Sequence, residues 1–123
     1  MTKKDYGVVC PGTTALNAVA SKWKMPVVGR LFKGRRRFGE LKSDLDGISS
    51  KALANTLREL ETDGIVERCV VDTRPVTIEY GLTDIGYQMK PMLLEMVSWG
   101  ERYLEEKDNN DNETEDGPKG PSF

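Results

Sequence analysis

The residues best placed to do chemistry in this chain are basic and amide side chains at helical spacing. Lys51, Asn55 and Arg58 follow one another at intervals of four and three, which on an α-helix turns all three to one face at about 100° per residue. Ser49 and Ser50 precede them and Thr62 continues the row. Such a face, rich in hydrogen-bond donors, can meet phosphate oxygens and the edges of bases. Arg74 lies in the polar stretch Asp72 to Pro75, where packing gives no reason for an arginine, and Arg35, Arg36 and Arg37 are consecutive. These four are candidates for phosphate contact. Cys10 is a candidate reactive thiol, because Lys3, Lys4, Lys22 and Lys24 nearby favour its thiolate. Other chemistries lack their residues. The chain has no histidine, its second cysteine, Cys69, forms no metal-spaced cluster with Cys10, and there is no glycine-rich phosphate loop or nucleophile elbow. An enzyme, a metal and a cofactor are therefore not expected.

The elements that would position these residues can be read from periodicity. Ser49 is a suitable N-cap, Ile48 can staple onto Leu53, and Leu53, Leu57 and Leu60 form an apolar face opposite Lys51, Asn55 and Arg58. Asp63-Gly64 closes that helix. Ile65 to Val71 and Val76 to Leu82 alternate as strands, giving a two-stranded hairpin with Arg74 at its tip. Upstream, Thr13 to Ala20 predicts a first helix with Leu16, Val19 and Ala20 inside. Trp23 to Phe32 predicts a second, with Pro26 in its first turn, and Phe38 to Leu45 a third that ends near Asp46-Gly47. A helix, a tight turn and a helix followed by a hairpin is the order of a winged helix-turn-helix, so the fold class is α+β, mainly α. Downstream, Thr83 can cap a long last helix whose stripe runs through Ile85, Met89, Met92, Leu93, Met96, Val97, Tyr103 and Leu104. Pro91 should kink it near Tyr87. The stripe exceeds the need of one small core, so Met89, Met92, Leu93, Met96, Val97 and Tyr103 are expected at a homodimer interface. Trp23 and Trp99 are expected to pack in the core or that interface.

Charge supports a nucleic-acid partner once it is divided by segment. The 123 residues carry a net −2, but residues 108–123 hold one lysine against five acids, whereas Lys22 to Arg58 holds ten basic residues against three acidic ones. That window, at +7, is the footprint a phosphate backbone requires. The length suits one domain, expected at 1–107, with 108–123 as an acidic disordered tail. No apolar run approaches the roughly 18 to 20 residues that span a bilayer, and no signal peptide is evident, so a cytoplasmic protein is expected. A winged-helix module that binds proteins instead of DNA is the alternative. It would leave Lys51, Arg58, Arg74 and the three arginines without a common purpose.

The chain resembles the HxlR-type, MarR-like winged-helix transcriptional regulators. The resemblance rests on Cys10-Pro11, Lys22-Trp23-Lys24, Arg37-Phe38-Gly39-Glu40-Leu41, Gly47-Ile48-Ser49, Leu57-Arg58-Glu59-Leu60-Glu61, Asp63-Gly64-Ile65-Val66, and Glu79-Tyr80 with Leu82-Thr83-Asp84-Ile85-Gly86. It covers about residues 8 to 104; the family's usual glycine before Lys22 is Ser21 here. It implies a homodimer that sets a recognition helix in the major groove of double-stranded DNA at an inverted repeat, and its wing along the minor groove or backbone. It also implies, from relatives with a cysteine at this place, that Cys10 can sense oxidants or electrophiles. Oxidation would join Cys10 to Cys10 or Cys69 of the other subunit.

Overall fold

The computed structural model describes residues 10–113. Nine elements follow in order: α1 (Pro11–Val19), α2 (Lys24–Leu31), β1 (Arg36–Arg37), α3 (Phe38–Asp44), α4 (Ser50–Thr62), β2 (Val66–Thr73), β3 (Val76–Leu82), α5 (Asp84–Tyr87) and α6 (Lys90–Glu113). They form two compact units that divide between Met89 and Lys90, where the sequence suggested a single domain to residue 107.

In the first unit the apolar faces of α2 and α4 meet, and α3 packs beside β1 and β3. Val27, Val28 and Leu31 of α2, Leu41 of α3, and Leu53, Leu57 and Leu60 of α4 are all fully buried, so these residues form the core on which the rest is laid. The inner face of α1 differs from expectation. Val19 is buried and Ala15 and Ala18 are half-buried, but Leu16 is 56% exposed and Ala20 is exposed. With one apolar side chain of any size per turn, this short helix can seat only one edge.

The sheet has three strands rather than two, all antiparallel, in the order β1-β3-β2. Arg36 pairs with Tyr80 and Arg37 with Glu79. Two arginines carry no strand signal of their own. Here β3 supplies the pairing, as an unsatisfied strand edge recruits any extended segment that passes it. Along the hairpin, burial falls with distance from the core instead of alternating. Leu82 and Gly81 are buried, Thr77 to Tyr80 are half-buried, and Val70, Val71 and Val76 are exposed. The far half projects beyond anything it could pack against.

The end of α4 and the start of α5 are locked together. Gly64, at φ +77°, closes α4 in a Schellman arrangement: the Gly64 N–H donates to the Glu61 carbonyl and the Ile65 N–H to the Leu60 carbonyl, at 3.0 and 2.9 Å. The Ile65 carbonyl then accepts the Thr83 N–H at 3.0 Å. The Thr83 hydroxyl lies 2.6 Å from the Gly64 carbonyl and accepts the Gly86 N–H at 3.2 Å, which caps α5. Gly86 is buried against this junction. A Cβ there would collide with the Ile65 carbonyl and stand 3.3 Å from the Leu82 Cβ.

Thr83 therefore caps a four-residue helix, and the expected single long helix is two. Pro91 falls in the first turn of α6, where its missing N–H is harmless, so the chain breaks before it instead of bending through it. α6 continues to Glu113, six residues past the expected domain end, so residues 108–113 are helical where a disordered tail was expected. The remainder of that tail, and Lys3 and Lys4, lie outside the described residues. Among the described residues no helix is long and apolar enough to cross a membrane.

Two glycines should respond oppositely to the same substitution. Gly86→Ala is expected to lower stability by about 1–3 kcal/mol, since backbone stands in the way. Gly29→Ala, on an open face of α2 with nothing within 4 Å of the new Cβ, should raise it by about 0.5–1 kcal/mol. Urea unfolding followed by circular dichroism measures both, and equal effects at the two sites would be inconsistent with the Gly86 contact.

Candidate nucleic-acid interface

α4 presents its polar face to solvent because its other face is consumed by the core. Ile48 and Leu53 are both buried at its start, and the Ser49 hydroxyl accepts the Ala52 N–H at 3.0 Å, the N-cap read from sequence. Lys51, Asn55, Arg58 and Thr62 are exposed, as are Ser49 and Ser50. One polar residue, Thr56, lies on the inner side at 7% exposure. The Arg58 Nη1 donates to the Asn55 Oδ1 at 2.8 Å, and the Thr62 hydroxyl donates to the Arg58 carbonyl at 2.9 Å. α3 reaches α4 through a turn in which Gly47 takes φ +89°. The turn holds because Leu45 and Ile48 are buried on either side and the Ile48 N–H donates to the Leu45 carbonyl.

At the wing, Val66 pairs with Leu82 and Thr73 with Val76, with an irregularity between Val70 and Asp72 that strengthens local twist. The Asp72 carboxylate accepts the Thr73 N–H at 2.8 Å and the Arg74 N–H at 3.4 Å. It thereby orders the tip on which Arg74 is exposed.

Of the three consecutive arginines, Arg35 and Arg37 are exposed and Arg36 is the more embedded. A Cβ on Gly81 of β3 would stand 2.9 Å from the Arg35 Cγ, so the stem of Arg35 lies over that strand. Arg36 is half-buried, with its Nε unpartnered, and the Arg37 N–H donates to the Glu40 carboxylate at 2.9 Å to start α3. Lys24, counted in the basic window, also has internal work. Its Nζ donates to the Asn17 carbonyl at 3.2 Å and lies 3.6 Å from the Glu59 carboxylate. It thus ties α1 and α4 to α2, and composition alone could not separate it from the free cations. Lys22 lies 5.2 Å from the centre of the half-buried Trp23 ring, a cation–π distance.

Cys10 is exposed at the N-cap position of α1. The Thr13 backbone N–H, then the Thr13 hydroxyl, then the Gly12 N–H hold its thiol below the usual cysteine value. No full cap hydrogen bond is closed. The cause is thus the unsatisfied N–H groups of a helix start, where lysine charge was expected. Cys69 is half-buried in β2, opposite Glu79.

Of the residues expected at an interface, Leu93 is 4% exposed in the single chain and has no surface to offer a partner. Met89 and Met92 are half-buried, while Met96, Val97 and Tyr103 are 37 to 48% exposed. Leu94, Trp99 and Leu104 join them on the exposed surface of α6, and the Trp99 and Tyr103 rings stack at 5.3 Å and 9°. The spacing of Trp99 and Tyr103 by one helical turn was visible in the sequence; which side would be covered was not.

Residues 18–108 match the family model described as HxlR-like helix-turn-helix. The chain is 40% identical over 103 residues to the uncharacterized HTH-type transcriptional regulator sll1512 of Synechocystis, an alignment covering 84% of this chain and 76% of that protein. In structure it is similar to the redox regulator HypR in its reduced form, with a TM-score of 0.74 and 34% identity over 80% of this chain and 98% of that one. It is also similar to quinone-bound YodB of Bacillus subtilis, with a TM-score of 0.65 and 33% identity over 76% and 99%. With its helix-turn-helix, its wing and its exposed basic face, the chain belongs to the HxlR-like helix-turn-helix family and is a DNA-binding transcriptional regulator.

Proposed function

We propose that this regulator binds an inverted-repeat operator as a homodimer, with α4 of each subunit in the major groove and the β2–β3 wing against the neighbouring minor groove or backbone. The observation that carries the reading is the face of α4. Lys51, Asn55 and Arg58 are exposed together, and the buried leucines behind them leave that face no other orientation. Arg74 extends the footprint at the wing tip, and Arg35, Arg36 and Arg37 add positive potential beside α3.

Dimerisation is supported by α6. It exposes six large apolar side chains, Leu94, Met96, Val97, Trp99, Tyr103 and Leu104, on one 24-residue helix. An apolar surface of this kind is what an isologous contact covers, and two-fold symmetry in the protein calls for two-fold symmetry in the site.

The proposed signal acts at Cys10. Its exposure and lowered pKa make the thiolate available, and the similarity to a redox regulator and to a quinone-bound regulator supports an oxidant or electrophile as effector. A thiolate adds to an electron-poor quinone carbon. With an oxidant that accepts two electrons, it joins Cys10 or Cys69 of the other subunit in a disulfide. Either product would shift the recognition helices relative to each other and so change their fit to the half-sites.

Three expected outcomes test these parts. On a selected operator, Arg58→Ala should cost about 1–3 kcal/mol of binding, whereas Arg74→Ala should weaken all sequences alike and reduce the salt slope by about one. Gel shifts at two salt concentrations separate the two, and full specific affinity in Arg58→Ala would remove α4 from the groove. Val97→Asp and Trp99→Asp should yield monomers that lose operator binding; sedimentation showing an unchanged dimer in both would place the interface elsewhere.

For the thiol, a lowered pKa places the thiolate, and hence reactivity, at lower pH than in the unfolded chain. In a Cys69→Ser background, the midpoint of the alkylation rate against pH should therefore lie lower for folded protein than for protein in urea, and Thr13→Val should raise it. Diamide or a quinone should change DNA affinity in wild type and not in Cys10→Ser. Equal responses in the two proteins would make Cys10 structural.

A further inference from the structure

The hydrogen bond between Arg58 and Asn55 constrains what α4 can read. A guanidinium only donates, so the Asn55 amide must turn its Oδ1 toward Arg58 and its NH2 away, as the 2.8 Å contact shows. An asparagine that reads adenine uses both ends of its amide at once, Oδ1 accepting from N6 and Nδ2 donating to N7. In this chain the accepting end is already directed at Arg58. Reaching adenine as well would make N6 share Oδ1 with the guanidinium, whose charge-assisted bond already fixes the plane of the amide. Arg58 still has four of its five N–H donors, enough for the paired O6 and N7 acceptors of guanine. Both side chains are exposed and lie one helical turn apart, so no core packing holds the pair together.

We infer that Asn55 is a positioning residue for Arg58, and that the face of α4 selects a guanine at one fixed position of each half-site instead of reading an adenine through Asn55. The inference rests on the groove reading of α4 proposed above. Asn55 restrains the long arginine before DNA arrives, lowering the entropy lost when its fork engages the base. The free Asn55 NH2 faces outward as a further donor, suited to a phosphate or a base acceptor.

Selection of bound sites from random double-stranded DNA by the full-length protein tests this, with Asn55→Ala, Asn55→Asp, Arg58→Ala and Arg58→Lys compared by their base preferences. Wild type should select guanine at one position per half-site. Arg58→Ala should lower that preference on the order of tenfold or more, and Arg58→Lys, which lacks the planar fork, should lower it in part. Asn55→Ala should weaken preference at the same guanine and at no adenine. Asn55→Asp, which keeps the acceptor and loses the NH2, should restore the guanine preference even though its charge reduces affinity for every sequence. Circular dichroism should be unchanged in all four. Loss of an adenine preference in Asn55→Ala, or an unaltered guanine preference in that variant, would overturn the positioning role while leaving groove reading intact. A wild type that selects no motif, or a motif insensitive to Arg58→Ala, would overturn groove reading and this inference with it.

Discussion

The peptide segment Gly64–Ile65 is the hinge point on which the interface depends. In two residues it ends α4 and leads into the wing. The Schellman bonds settle where α4 stops, and the Ile65 carbonyl, by accepting from Thr83, settles where the wing returns. Thr83 adds a second tie through its hydroxyl, which also caps α5, and Gly86 lets the chain pass close enough for these bonds to form. The carbonyl of the buried Ile65 must find a partner at such a crossing, because leaving it unpaired costs on the order of 1–3 kcal/mol. The geometry of helix against wing is thereby held by hydrogen bonds and not by side-chain volume alone.

The polar face of α4 follows from what lies beneath it. Leu53, Leu57 and Leu60 are fully buried, and rotating the helix would expose all three at roughly 1.5–3 kcal/mol each. Function thus borrows its orientation from the core. The basic residues divide into two groups on the same principle. Lys24 bridges the Asn17 carbonyl and Glu59, and Arg36 is half-buried, whereas Lys51, Arg58 and Arg74 remain exposed. A charge count treats these groups alike, but only the exposed side chains are free to meet a phosphate or a base.

Local chemistry was enough to read much of this molecule. Ser49 as a cap, Gly64 as a stop, three leucines at intervals of four and three, and strand β3 at Val76–Leu82 were all legible, because each is decided by residues within a turn or two of one another. The candidate site was legible to the same degree: a helical face needs only spacing to be drawn. Less legible was the state of each side chain on that face. Nothing in the order of residues says that Arg58 is held by Asn55, or that the Cys10 thiol owes its lowered pKa first to Thr13.

The sequence by itself determined the class of fold, the helix that faces outward and the family resemblance, since amphipathic period and cap chemistry act over short range. The tertiary structure alone decided that Arg36 and Arg37 form a strand, because their extended conformation is stabilised by the edge of β3 more than 40 residues away. It decided that Leu93 is buried while Leu94 and Trp99 are exposed, since periodicity defines a stripe but not which part of it is covered. It also decided that the last helical region is two helices, where Pro91 was expected to kink a single one. The short α5 starts after Thr83 because Thr83, bound to the Ile65 carbonyl, caps it by accepting the Gly86 N–H. For β1 and for α5 the deciding partner lies far along the chain, at β3 and at Ile65, where local propensity carries no information.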